Sequence, residues 1–451
     1  MPESSNELKV ILTPLKPALI AGVAQRLPVL VRVQSPDPQP GQIEARKPYG
    51  LALVIDRSGS MSGEPLREAV RCARHIIDRL APTDSVALVA FDDRVRMLAP
   101  AGPVGNGQHL RQALARIYEG GSTNLHGGWK EGADGLASLA AEAAIARVIL
   151  LSDGNANVGE IDPAVIASQC TAAAQAGVTT STYGLGRQFN EDLMVGMAKA
   201  GQGNHYYGDS AADLLEPFAE EFDLISSLFA RHLKLGLGAP EGVRIRLLND
   251  YPVEERDGFP LVLLPDLPWG AEAWALVELE VEAAVANGGV AQLLQAGVTG
   301  NTPDGMPIAF PEAVMMTAGV SPQGWDAILP DPLVVERLAE IETAQILQRA
   351  RDAADAGDWD AIQALLASAR ARYAQYPWAL EVLEGIAALA SPENILRFKK
   401  EALYASRKMH VRLSAKEELS GLTDEELKAA HLRRRKLQGK AQFNPSDDKR
   451  S

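Results

Sequence analysis

Asp56, Ser58 and Ser60 occupy alternate positions at the end of an apolar run in the stretch LALVIDRSGS, which spans residues 51–60. One carboxylate followed by two hydroxyls is a set of hard oxygen donors, suited to Mg²⁺, Mn²⁺ or Ca²⁺ and poorly suited to Zn²⁺. Short polar triplets after strands are common, so the weight of this one comes from two residues further along the chain. Thr123 lies in GGSTNL, and Asp153 lies in VILLSDGNANVG directly after a second apolar run. Capping of turns and helices would account for the hydroxyls. It would not account for two aspartates that each end an apolar strand.

Such donors have to be delivered by strand ends. Strands are expected over 51–56, 85–91, 94–98, 147–152, 178–184 and 205–207, the third as an antiparallel edge because only the tight turn Phe91-Asp92-Asp93-Arg94 precedes it. Gly59 would let the chain turn sharply after the first strand. Leu66, Val70, Ala73, Ile77 and Leu80 recur at helical spacing, with Pro65 acceptable in the first turn. Asp162-Pro163 opens a further helix that Gly177 closes, Asn190 and Gly201 bracket the next, and Ser210 with Asp213 forms a capping-box pattern. Alternating strands and helices give an α/β, doubly wound, mainly parallel sheet. Ligands of such sheets sit beyond the C-terminal strand ends, where Asp56 and Asp153 fall.

The Asp56-x-Ser58-x-Ser60 triplet, the distant Thr123 and the Asp153-Gly154 pair resemble the metal-ion-dependent adhesion site (MIDAS) of a von Willebrand factor type A (VWA) domain. The resemblance extends through TYGLGRQFNEDLM and GNHYYGDS, covers residues 48–226, and is greatest to bacterial proteins of the inter-alpha-trypsin-inhibitor heavy chain and calcium-activated chloride channel-like group. It implies a Rossmann-like domain in which Asp56, Ser58, Ser60, Thr123 and Asp153 surround one ion, some of them through water. Magnesium takes six near-octahedral oxygens and only two of these side chains are charged, so a coordination position can remain open. The family uses that position for an Asp or Glu of a partner protein.

A divalent-metal-dependent hydrolase using the same residues is the alternative. It needs a base beside the ion, and His126, three residues after Thr123, is the nearest candidate; a lone His in a Gly-rich loop is more often a surface residue. His75, His205 and His232 fall in helix or strand patterns and fit no ligand spacing. GLGRQFNE lacks the Lys and Ser/Thr of a P-loop and the spacing of a dinucleotide fingerprint. Cys72 and Cys170 have no nearby Cys or His and read as buried structural residues. The expectation is a protein-interaction module and not an enzyme.

The remaining chain is read from composition and period. Of 451 residues, 46% are hydrophobic and 23% charged, enough for two or three domains with substantial cores. Residues 1–47 contribute short strands followed by the irregular SPDPQPGQ, and 227–328 read as repeated strands (FARHLKLGLG, GVRIRLLN, PLVLLPDL, AWALVELEVEAA, VAQLLQAGVTG), an all-β sandwich that the N-terminal strands are expected to complete. Residues 329–410 carry three apolar stripes at helical spacing, an antiparallel helical bundle, and 411–451 read as a charged, disordered tail. From residue 395 onward there are 15 Lys and Arg against 8 Asp and Glu, which leaves about −21 on the preceding part of a chain whose net charge is −14. Such a body disfavours nucleic acid except through the tail. Neither a signal peptide nor a membrane span is expected, since Lys9, Pro14, Lys16 and Pro17 interrupt the first apolar stretch and no window reaches about 18 uninterrupted apolar residues. With only two cysteines, the expected location is the cytoplasm.

Overall fold

The computed structural model describes residues 8–37, 48–140, 145–185, 190–208, 227–256, 259–287, 289–303, 305–410 and 413–415. The chain forms two compact units, one of residues 1–38, 228–302 and 307–451, the other of residues 39–227 and 303–306. It begins with strands β1 (Lys9–Pro14), β2 (Ala18–Ile20) and β3 (Gln25–Gln34) of the first unit.

The second unit comes next as β4 (Tyr49–Asp56), α1 (Glu64–Arg79), β5 (Ser85–Phe91), β6 (Val95–Pro103), α2 (Gln108–Leu114), α3 (Leu125–Ala137), β7 (Ile145–Ser152), α4 (Pro163–Gln175), β8 (Val178–Leu185), α5 (Glu191–Ala200) and β9 (Gln202–Gly208). Its sheet runs β6-β5-β4-β7-β8-β9, parallel throughout except for the β5/β6 pair. Every residue of β4, β7 and β8 is buried, as strands covered on both faces by helices must be. Asp162 caps α4 by accepting from the Ala164 N–H, and Asn190 caps α5 by accepting from the Leu193 N–H. Ser210 and Asp213 lie outside the described residues.

Two helices, α2 and α3, depart from the sequence expectation. α3 reads LHGGWKEGADGLA, a composition that argues against a helix. Its glycines are explained by closeness to the sheet: a Cβ at Gly128 would lie 2.3 Å from Phe91 Cδ1, and one at Gly132 2.5 Å from Val54 Cγ2. Side chains there would push the helix off β4 and β5.

The first unit resumes with β10 (Leu228–Gly238), β11 (Val243–Leu247), β12 (Val253–Arg256), β13 (Phe259–Leu263), β14 (Leu267–Pro268), β15 (Ala271–Val281), β16 (Val290–Asn301), β17 (Pro307–Ala309) and β18 (Ala313–Val320). Helices α6 (Pro322–Ala327), α7 (Pro332–Asp355), α8 (Trp359–Arg372), α9 (Pro377–Ala388) and α10 (Ile395–His410) come next, then β19 (Leu413–Ala415). Among the described residues one sheet runs β1-β3-β15-β11, with β19 beside β15, and the other runs β12-β13-β10-β16-β18-β2. Val29, Val31, Ala273 and Val277 of the first sheet share a core with Leu233, Leu235, Leu294 and Val298 of the second, so the two pack as a sandwich. On the opposite face of the first sheet, Leu30, Trp274 and Leu276 pack against Val334 and Ile341 of α7. Buried charges close that joint. Glu272 accepts from Arg32 at 2.9 Å and from Gln34 at 3.0 Å, and the Arg337 guanidinium lies 5.0 Å from the Trp274 ring. Leu347, Leu366, Leu383 and Phe398 tie α7, α8, α9 and α10 into one helical core.

Candidate metal centre

Asp56 ends β4 and is fully buried. Its Oδ1 accepts the Ser58 N–H at 2.8 Å and its Oδ2 accepts the Ser152 hydroxyl at 2.6 Å, which fixes the carboxylate between two strand ends. The chain then makes a single tight turn over Gly59–Met61, anchored by the buried Met61. That turn leaves the Ser58 and Ser60 hydroxyls 3.2 Å apart, the first buried and the second exposed. Gly59 adopts no positive φ; its N–H donates to the Gly121 carbonyl at 2.7 Å, and closeness to that backbone is what its small size allows.

Thr123 is buried and held by its backbone. Its N–H donates to Asn157 Oδ1 at 2.7 Å, while its carbonyl accepts from the N–H groups of Asn157 and Val158. The loop after β7 that carries Asp153 is thereby bound to the Thr123 loop. Asp153 Oδ1 accepts from the Asn155 N–H, and its carbonyl accepts from the Asn190 N–H at 2.8 Å. Gly154 next to it has φ +68°, and a Cβ there would lie 2.8 Å from Met194 Cγ, so glycine is required on both counts.

Burial pushes the Asp56 carboxyl up to about 6, the nearby Asp153 carboxylate adds to this, and the bonds from Ser152 and Ser58 oppose it. The guanidinium of Arg57, the next residue in the chain, is engaged by Asp92 at 2.5 Å. A carboxylate raised by burial, with a second carboxylate nearby and hydroxyls around it, is the donor chemistry that a hard divalent ion would satisfy. Among the described residues no three His, Cys, Asp or Glu side chains converge, so an ion here would rest on two carboxylates and hydroxyls.

Ser152 and Asn157 are supporting residues that the sequence reading does not single out, and Asn190, expected only as a helix cap, also holds the Asp153 carbonyl. Ser152 carries a signal, since it directly precedes Asp153 on a fully buried strand. His126 sits in the first turn of α3 with its Nε2 2.8 Å from Gln169 Oε1. Cys72 and Cys170 are buried, and burial pushes both thiols up to about 12.

A domain with this sheet order and with acidic and hydroxyl residues gathered at its C-terminal strand ends is of the VWA type. Residues 51–221 match the family model of the von Willebrand factor type A domain, and the chain carries such a domain. VWA domains commonly mediate metal-dependent protein–protein interaction and typically bind a divalent metal. Similar chains include "Uncharacterized protein sll0103" of Synechocystis, 29% identical over 53% of this chain and 59% of that one. Inter-alpha-trypsin inhibitor heavy chain H3 of Homo sapiens is 31% identical over 39% of this chain and 21% of its own length. The matches thus span 59% and 21% of those relatives. The solved structure of a von Willebrand factor type A protein from Catenulispora acidiphila has the same fold across 91% of this chain and 98% of that one, with a TM-score of 0.70 at 18% identity. Among the described residues no helix is long and apolar enough to cross a membrane.

Proposed function

We propose that Asp56, Ser58, Ser60, Thr123 and Asp153 hold one Mg²⁺, with Mn²⁺ or Ca²⁺ as alternatives, and that the chain is a cytoplasmic module binding a partner protein through an Asp or Glu of that partner. The observation that carries this reading is the Asp56 carboxylate, raised chiefly by its burial with Asp153 adding to it, and held by the Ser152 hydroxyl and the Ser58 N–H. When bound, the ion supplies a Lewis-acid position for the incoming carboxylate. The chain supplies the rest: Ser152 holds Asp56, Asn157 holds the Thr123 loop, and Asn190 holds the backbone of Asp153. The engagement of His126 with Gln169 speaks against a hydrolytic base, and the raised Cys72 and Cys170 thiols against thiol chemistry. Residues 48–226 are the proposed binding domain, with 1–47 and 227–328 as the sandwich and 329–410 as its helical extension.

Calorimetric titration of Mg²⁺ into the wild type and Asp56→Ala tests the site. The expected result is loss of ion affinity in the variant, and undiminished affinity would overturn the assignment. Pull-downs in Mg²⁺ and in EDTA, read by mass spectrometry, test the mechanism; capture that ignores the ion would refute it.

A further inference from the structure

We propose that Tyr118 and Arg96 form a second recognition point beside the metal centre, which takes another carboxylate of the same partner segment; this rests on the interaction reading above. Tyr118 is 61% exposed, among the most exposed large hydrophobic side chains described, yet it is firmly seated. The Arg57 guanidinium lies 5.1 Å from its ring centroid and donates to its carbonyl at 3.1 Å, and the same guanidinium is neutralised by the buried Asp92. Arg57 directly follows Asp56. The Tyr118 loop is tied to that strand end again by Gly120 N–H to Arg57 O and by Gly59 N–H to Gly121 O, each 2.7 Å. Gly120 closes over Asp92 so tightly that a Cβ would lie 2.0 Å from its Oδ2. The loop that leads into Thr123 therefore presents an aromatic ring whose position is already set.

A rigid exposed aromatic beside an arginine is the chemistry of an interface anchor, because little side-chain entropy remains to be lost on binding. The charge pattern selects the occupant. Arg57 is paired with Asp92 and Arg94 with Asp93, whereas Arg96, at the start of the edge strand β6, has no carboxylate within 4.0 Å among the described residues. One guanidinium N–H of Arg96 meets the Tyr118 hydroxyl at 3.3 Å. The other donors of a guanidinium and the phenolic O–H can both be given to one incoming carboxylate. A protein segment with two carboxylates, one for the ion and one for Arg96, fits this edge. Nucleic acid fits less well, since Asp93 and Glu119 lie on the same loops.

A displayed random-peptide library selected on the full chain in Mg²⁺ tests this. Binders released by EDTA should carry two acidic residues at a constant separation. With Arg96→Gln or Tyr118→Phe, Mg²⁺ affinity should be unchanged, the second acidic position should lose its enrichment, and wild-type-selected peptides should bind about tenfold more weakly. Wild-type binders with a single acidic position, or a second position that survives Arg96→Gln, would overturn the proposal. So would loss of Mg²⁺ affinity in Arg96→Gln, which would place the residue in the metal centre. A library with no EDTA-sensitive binder would sink the interaction reading itself, and this inference with it.

Discussion

Asp56 carries a cost that its surroundings only partly offset. The distance from its ordinary 3.8 to about 6 corresponds to roughly 3 kcal/mol for holding the ionised form in the folded, ion-free protein. The sign comes from the raised value. Above about pH 6 the folded carboxyl is ionised and the cost is complete; between pH 6 and 3.8 the folded state takes up its proton before the unfolded state does, and the cost disappears. In Asp56→Asn the Ser152 hydroxyl can turn to accept from the new amide. Without divalent ions the variant should therefore be more stable than the wild type at about pH 8, by at most roughly 3 kcal/mol, with the advantage vanishing near pH 4. Urea melts across this range decide it, and an advantage that does not change with pH would refute the account. Protons also compete with any ion at this carboxylate. The apparent Mg²⁺ affinity should fall about tenfold per pH unit below about 6, read by calorimetry.

At this scale the sequence disclosed the donors and not their supports. A carboxylate after an apolar run is visible in the string because strand ends have a period and a composition. The Ser152 bond to Asp56 and the Asn157 bond to Thr123 cross between loops far apart in the chain, and no local pattern records them.

Among the elements, α3 makes the sharpest test because its glycines weaken it as a helix while permitting its position. Gly128→Ala should raise helix propensity yet destabilise by about 1–3 kcal/mol, since the new methyl meets Phe91 at 2.3 Å. Gly135→Ala meets the flexible end of Met97 at 3.3 Å and Ala87 Cβ at an ordinary 3.9 Å, and should be neutral or stabilising by up to about 1 kcal/mol. Denaturation midpoints compare the two, and equal effects would show that propensity outweighs packing here. The same glycines explain why α3 escaped the sequence reading, in which a Gly-rich stretch argues for a loop. The β/α alternation was legible because β4 and β7 are buried throughout and largely apolar, β8 is rich in β-branched residues, and the caps Asp162 and Asn190 marked α4 and α5 directly.

For the whole molecule the central pairing is that of β3 with β15, whose Arg32 and Glu272 meet across 240 residues of sequence. A pair of strands such as β1 and β3 cannot bury a sheet alone, so their need for a distant partner could be inferred; which strand they join, and in what register, is not written in any local period. Removal of residues 1–47 takes away β1, β2 and β3, baring one edge of β15 from Glu272 to Val281 and one edge of β18. Such a chain should become protease-sensitive within 227–328 while its VWA domain still binds Mg²⁺. Limited proteolysis followed by mass spectrometry reads the cleavage sites, and resistance equal to that of the full chain would refute the dependence.

The ties between the Thr123 loop and its neighbours, through Asp92 on one side and Asn157 on the other, have a calorimetric consequence. A site whose loops are fastened before its ligand arrives orders little backbone on binding and buries little new apolar surface. Ion uptake should then show a heat-capacity change near zero and a favourable entropy dominated by released hydration water, in contrast to a loop that folds around its ion. Cutting one tie, as in Asn157→Ala, should move ordering of the Thr123 loop into the binding step and make the measured entropy less favourable.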